Sequence, residues 1–134
     1  MISSLFQNSD YLSKALDASW LRNEVINNNI SNVDTPDFKA STVDFESVLQ
    51  DAMQGNSISM KVTNPKHIAS NNTLDTIEPT VSQNTSTQVR MDGNNVDMES
   101  EESSLAKNAI YYYTLTQKLN AEYSRIKYAI SEGK

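Results

Sequence analysis

Apolar residues recur with a seven-residue rhythm at both ends of this chain of 134 residues, and the middle lacks it. The N-terminal rhythm is interrupted only by Ser9, Ser19 and Asn23. Its apolar members include Leu5, Leu12, Leu16, Ile26 and Ile30. The C-terminal members include Leu105, Ala109, Tyr112, Leu119, Tyr123, Ile126 and Ile130. This spacing is typical of a coiled-coil seam. We therefore predict that these residues form a helix-packing interface, within one chain, between copies, or both.

The pattern predicts a mainly α fold with long N- and C-terminal helices paired as a coiled coil. The first helix should run from about Ser4 to Asn32. Asp97 is a good N-cap for the last helix, and the acidic residues after it favour the positive end of the helix dipole. The expected regions are residues 1–33 and 97–134 for the helices, with a short irregular, β-containing segment over 34–96.

The middle segment has weaker signals. The apolar positions of Val43–Met53 fit a short amphipathic helix, and the alternation in Ser57–Val62 predicts a strand. Residues Ala69–Gln88 are rich in Ser, Thr and Asn and indicate a long loop. Gln88–Met91 is a candidate second strand, and Asp92–Asn95 is a strong turn signal.

Charge and composition exclude several classes of function. The net charge is −6 with no basic run, which argues against binding to nucleic acid or directly to anionic lipid. There is no cysteine, and His67 is the only histidine, so the usual ligands of a zinc site are missing. His67 is best interpreted as a turn residue. We expect no catalytic residue, no cofactor and no metal, and hence no enzyme.

The hydrophobic fraction of 37% is low beside the roughly 45–50% of an ordinary globular domain. A chain with so few apolar residues can complete its core by packing against partner molecules. This again favours assembly over solitary folding.

An asparagine-rich segment ends the first predicted helix and leads to Pro36, which disfavours helix at Thr35. From the residues alone, a plain helix stop and a specific turn remain equally open. The segment also resembles the signature of bacterial flagellar rod and hook proteins, the flagellar basal body rod protein family. The matching residues are Asn28, Asn29, Ile30, Asn32, Thr35, Pro36 and Phe38. Asp37 stands where that family usually has glycine, and because Asp tolerates unusual φ values we expect the turn to persist.

The resemblance extends over nearly the whole chain, through Phe38–Ala40, Val43–Phe45, Asp92–Asp97 and Leu105–Ala109. It implies a structural subunit of the flagellar basal body, in the proximal rod, that assembles through its terminal helices and transmits motor rotation. The implied partners are other copies, neighbouring axial proteins and the flagellar type III export apparatus. The implied location is the periplasmic rod, reached without a cleaved signal peptide. The alternative is a soluble coiled-coil adaptor or export chaperone.

Phe45 and Leu49 resemble the Phe-x-x-x-apolar element of early flagellar export substrates. The resemblance implies that the export gate reads them before the chain folds. Residues four apart also lie on one side of a helix, so packing is the simpler explanation of the pair. Both roles can hold at different stages.

Overall fold

The computed structural model describes residues 2–53, 78–85 and 91–132. In chain order, its elements are α1 (Ile2–Ser31), β1 (Ser41–Asp44), α2 (Glu46–Met53), β2 (Thr80–Gln83) and α3 (Met98–Glu132). The mainly α fold with a small β-containing middle is therefore confirmed.

Two long helices dominate the fold. α1 has 30 residues and α3 has 35, which correspond to lengths of roughly 45 and 52 Å. They contact each other more extensively than any other pair of described elements. Ser19 meets Asn108, while Asn29, later in α1, meets Glu101, earlier in α3. The two helices are therefore antiparallel.

Phe45, in the one-residue link between β1 and α2, is the largest fully buried side chain of the described residues, at 1% exposure. It lies in a cluster with Ala15 and Ala18 of α1 and Leu115 of α3. The two alanines leave room beside α1 for the aromatic ring. The partly buried residues packed against this cluster are Leu12, Leu16 and Leu49. Phe45 thus attaches the middle of the chain to the helix pair.

β1 precedes α2 and belongs to a two-stranded antiparallel sheet, which corrects the prediction of one helix over Val43–Met53. β1 runs to Asp44 and pairs with β2, with Val43 opposite Val81. The helix begins only at Glu46, where Ser47 Oγ lies 2.8 Å from the Asp44 carboxylate. The strand is favoured because it buries Val43 and lets β2 pair with its backbone.

The predicted loop over Ala69–Gln88 was wrong at Thr80–Gln83, which forms β2. All four residues of β2 are exposed, so the strand carries no apolar alternation and its pairing depends on the backbone. The strand predicted at Ser57–Val62 lies outside the described residues. Of the candidate strand Gln88–Met91, only Met91 is described, and it lies in a turn.

The predicted start of the last helix is confirmed. Asp97 Oδ1 accepts hydrogen bonds from the backbone N–H of Glu99 at 3.1 Å and of Ser100 at 3.4 Å. These bonds satisfy two of the donors that a helix N-terminus leaves without an intrahelical partner. Asp97 is therefore the N-cap, as its position suggested.

Candidate functional site

The residues of the predicted seam divide into three groups. Ile26 and Ile126 are buried. The half-buried members are Leu12, Leu16, Ile30, Leu105 and Leu119, and the exposed members are Ala109, Tyr112, Tyr123 and Ile130. The side chain of Leu5 lies outside the described part. α1 and α3 therefore contact each other through only part of the predicted stripe, and the role of the other members between copies stays a prediction.

The face that α3 turns to α1 is displaced by one residue from the apolar pattern. Asn108 and Leu115 are buried at 4% and 8% exposure, whereas Ala109 is exposed. The displacement leaves an apolar surface beside the helix contact. It consists of Ala109, Tyr112, Tyr123 and Ile130 of α3 together with Trp20 of α1, and we call it the exposed flank. Trp20, Ala109 and Tyr112 line one cleft between the helices.

The turn that follows α1 is tied to the start of α3 by buried amides. Asn94, which is fully buried, places its Nδ2 atom at 2.9, 3.0 and 2.9 Å from the carbonyl oxygens of Asn32, Val33 and Thr35. These carbonyls lie in the turn just beyond the end of α1. Asn94 Oδ1 also accepts the N–H of Val96 at 2.7 Å. One side chain thus holds the turn after α1 and shapes the loop before α3.

Asn29 makes a second tie on the same side of the molecule. Its Nδ2 donates to Ser41 O at 2.8 Å and to Glu101 Oε1 at 3.0 Å, and its Oδ1 accepts the N–H of Ser41 at 3.0 Å. The side chain therefore joins α1, β1 and α3. Burial raises the pKa of the Glu101 carboxyl, and the hydrogen bond from Asn29 partly offsets this rise.

Asp37 and Gly93 form the closest approach between the two loops. Asp37 has φ of 58°, so the turn expected from the family glycine is kept by a residue that tolerates this conformation. Its N–H donates to the carbonyl of Asp92 at 3.0 Å. Gly93 has φ of 82°, and a Cβ there would collide with the Asp37 carboxylate. Glycine is required at position 93 for both reasons.

The remaining residues of the family turn lie around these contacts. Asn32 Nδ2 donates to Asn28 O at 2.8 Å, and Thr35 Oγ1 donates to Asn32 Oδ1 at 3.2 Å. Phe38 is half-buried and its carbonyl accepts the N–H of Asn95 at 3.4 Å, while Pro36 is exposed. We call the whole region, residues 28–41 with 92–101, the amide junction. The specific-turn interpretation therefore describes this segment better than a plain helix stop.

An ion pair fastens α2 to α1. Arg22 Nη2 lies 2.7 Å from Glu46 Oε1, and this hydrogen bond lowers the pKa of the Glu46 carboxyl. Arg22 also reaches the carbonyl of Val43 at 3.5 Å. Because Glu46 is largely exposed, the pair orients α2 more than it stabilises the fold.

Sequence reasoning missed the residues that carry the polar contacts: Ser19, Arg22, Asn94, Asn95 and Asn108. Asn94 and Asn95 were recognised as a turn signal within a segment that resembles the family, but without their hydrogen-bond partners, and Ser19 only as an interruption of the apolar rhythm. The available signal was a polar residue at a seam position, since such a residue needs a partner when it is buried. Within the described residues no buried side-chain nitrogen or oxygen lacks a hydrogen bond.

These features define a helical structural protein in which the two ends of the chain pair and a polar junction closes one end of the pair. No family model matches the chain. Among curated proteins, it is 32% identical to the flagellar basal body rod protein FlgB of Bacillus subtilis, over 100% of this chain and 98% of that protein. It is 30% identical to FlgB of Yersinia enterocolitica, over 92% and 93% of the two chains. It is 33% identical to FlgB of Borreliella burgdorferi, over 80% and 83%. The chain therefore belongs to the FlgB family of flagellar basal body rod proteins.

The junction makes a direct prediction. Asn94→Ala should cost about 2–3 kcal/mol of folding free energy, because it leaves buried backbone groups without partners. Folding can be followed by circular dichroism as the osmolyte trimethylamine N-oxide is added, which favours the compact state. The variant should need more osmolyte to reach the same helix content.

Asn27→Ala is the matched control for Asn94→Ala. Asn27 is exposed on α1, and its side chain bonds Asn23 within the same helix. Its replacement should leave the osmolyte midpoint almost unchanged. Equal midpoints for the two variants would contradict the role assigned to Asn94.

Proposed function

We propose that this chain is a structural subunit of the proximal rod of the bacterial flagellar basal body. It assembles through its terminal helices into the rod that transmits motor rotation. The observation that carries the proposal is the match to FlgB over the full chain. The helix pair and its amide junction support the proposal. Directional hydrogen bonds at the end of α1 and at the start of α3 resist the twisting that a rotating rod undergoes.

The exposed flank is the surface we assign to assembly with other copies and with neighbouring axial proteins. Among the described residues, eight apolar side chains are buried, whereas eleven large ones are exposed. Contiguous exposed apolar surface marks interaction sites. The consecutive Tyr111, Tyr112 and Tyr113 are all exposed, and they fit a helix with neighbours on several sides.

Tyr123→Ser tests the flank. Tyr123 is 51% exposed, so its removal should leave the fold intact while weakening contacts between subunits. The measurement is swimming in soft agar together with the recovery of assembled rods. We expect motility to fall severalfold at unchanged protein level, since each subunit repeats the loss.

Gln117→Ser is the control for Tyr123→Ser. Gln117 is an exposed polar residue of α3 that lies six residues before Tyr123, roughly 120° around the helix. Motility should be close to normal in this variant. If Tyr123→Ser swims as well as wild type, the flank is not an assembly surface.

The proposed location is the periplasmic part of the rod, reached through the flagellar type III export apparatus without a cleaved signal peptide. In the described part of the chain, no helix is long and apolar enough to cross a membrane. The support for this route is membership of the FlgB family.

Phe45 and Leu49 are the proposed export element. In the folded chain Phe45 is almost completely buried and Leu49 is half-buried. A receptor can therefore reach them only before folding. Their packing role in the folded state and their recognition role in the unfolded chain do not compete.

Secretion separates the two roles of this pair. Phe45→Ala and Leu49→Ala should lower the amount of protein exported from cells that cannot assemble a rod, with cytoplasmic levels unchanged. Val43→Ala is the control: Val43 is also buried but lies outside the element, so export should be normal even where packing suffers. Normal export of the Phe45→Ala variant would mean that Phe45 and Leu49 act only in packing.

The alternative, a soluble adaptor or export chaperone, differs in the state of the free chain. Most helix stability comes from packing, and a rod subunit completes its packing only on assembly. Circular dichroism of the isolated chain should therefore report much less helix than α1 and α3 contain. A free chain that is fully helical and melts cooperatively would favour the adaptor.

A further inference from the structure

One polar pair lies inside the contact between α1 and α3. Ser19 and Asn108 are 1% and 4% exposed. Ser19 Oγ donates to Asn108 Oδ1 at 3.0 Å, and Asn108 Nδ2 donates to the Ser19 carbonyl oxygen at 2.9 Å. The two bonds are reciprocal and join residues 89 apart in the chain. Such a pair constrains both distance and orientation, whereas apolar contacts constrain mainly distance.

The apolar pattern of α3 does not by itself define the observed orientation. Two sets of positions, one residue apart in phase, compete to face α1. The set that contains the observed contacts is Glu101, Asn108, Leu115, Glu122 and Ala129, with two apolar members. The competing set is Glu102, Ala109, Thr116, Tyr123 and Ile130, with three. Burial of apolar surface alone therefore leaves the second set able to compete for the contact with α1.

We propose that the Ser19–Asn108 pair sets the rotation of α3 about its own axis and so keeps the exposed flank uncovered. Rotating α3 toward its more apolar set would move Asn108 away from Ser19 and leave buried polar atoms without partners, which is costly. The Asn29–Glu101 hydrogen bond opposes the same rotation near the start of α3. Ser19 and Asn108 are positioning residues: they contact each other and determine which face of α3 remains open.

The use of the exposed flank for assembly rests on the proposed function. The role of the Ser19–Asn108 pair in setting the rotation of α3 does not rest on it. If the competing set faced α1, the chain would bury that apolar surface within itself and expose less of it to a neighbour. A polar pair inside the helix contact therefore has a consequence on the outer surface. Polar residues in coiled-coil seams are known to set alignment at a cost in stability.

Cysteine reactivity measures the rotation directly, because the chain contains no cysteine of its own. Ala109→Cys reports the exposed flank, and Ala121→Cys is an exposed site on another side of α3. Each is introduced alone into the full chain, and alkylation by a maleimide is timed at an osmolyte concentration that gives full helix. Both cysteines should react at similar rates in the parent chain.

The test variant is Ser19→Ala with Asn108→Ala, which removes the polar pair without adding a large apolar side chain to the observed contact side. We expect alkylation at position 109 to slow about tenfold or more. In the parent chain, the rotated orientation would leave a buried polar group without a partner, which disfavours that orientation by at least this factor. Alkylation at position 121 should not slow. An unchanged rate at position 109 in a fully helical variant would overturn the proposal.

A second variant separates rotation from loss of folding. Ser19→Asn with Asn108→Ser exchanges the two side chains and keeps a polar pair, so position 109 should remain as reactive as in the parent. If the apolar variant loses its helix and both cysteines react at one fast rate, the pair supports folding and not rotation, and the proposal fails. Slowed alkylation at position 109 together with normal motility of the apolar variant would confirm the rotation and count against the use of the exposed flank for assembly.

Discussion

The hydrogen bonds of the Asn94 carboxamide are the interactions on which the rest of the structure depends. The carboxamide is fully buried, it meets three carbonyl oxygens of the turn just beyond α1, and it shapes the loop that leads into α3. The turn that follows α1 thus finds its partner in a residue about sixty positions away. The end of α1 and the start of α3 therefore adopt their structure together. Asn29 reinforces this closure by joining α1 to β1 and to α3.

The elements with a strong local signal could be predicted from the sequence. Both long helices have sustained apolar periodicity, and Asp97 has the capping chemistry that marks a helix start, so their approximate bounds followed from pattern alone. β2 had no such signal, because all its residues are exposed and backbone pairing with β1 holds it. A strand of this kind is indistinguishable in sequence from a polar loop. Its existence is a property of the tertiary structure.

The rotation of α3 was beyond prediction for a different physical reason. Periodicity reports which residues are apolar, but not which half of a wide apolar stripe meets a given neighbour. Asn108 is a single polar residue beside that stripe, and its significance depends on Ser19, far away in the chain. The predicted seam therefore included Tyr123 and Ile130, which the single chain leaves exposed. Within the candidate site, the family turn was foreseen as a segment, whereas its partners Asn94 and Asn95 were not.

Polar and apolar side chains have separate tasks in this chain. Within the chain, amides make directional bonds that define one geometry, and they hold the helix ends where few apolar residues are available. On the surface, apolar residues remain open, and their attraction is non-directional and proportional to the area covered. A subunit that must hold one shape in an assembly and also contact neighbours benefits from this division, because directional hydrogen bonds define the shape and apolar burial supplies the attraction. The proposed assembly role accounts for the apolar residues of α3 that the single chain leaves exposed.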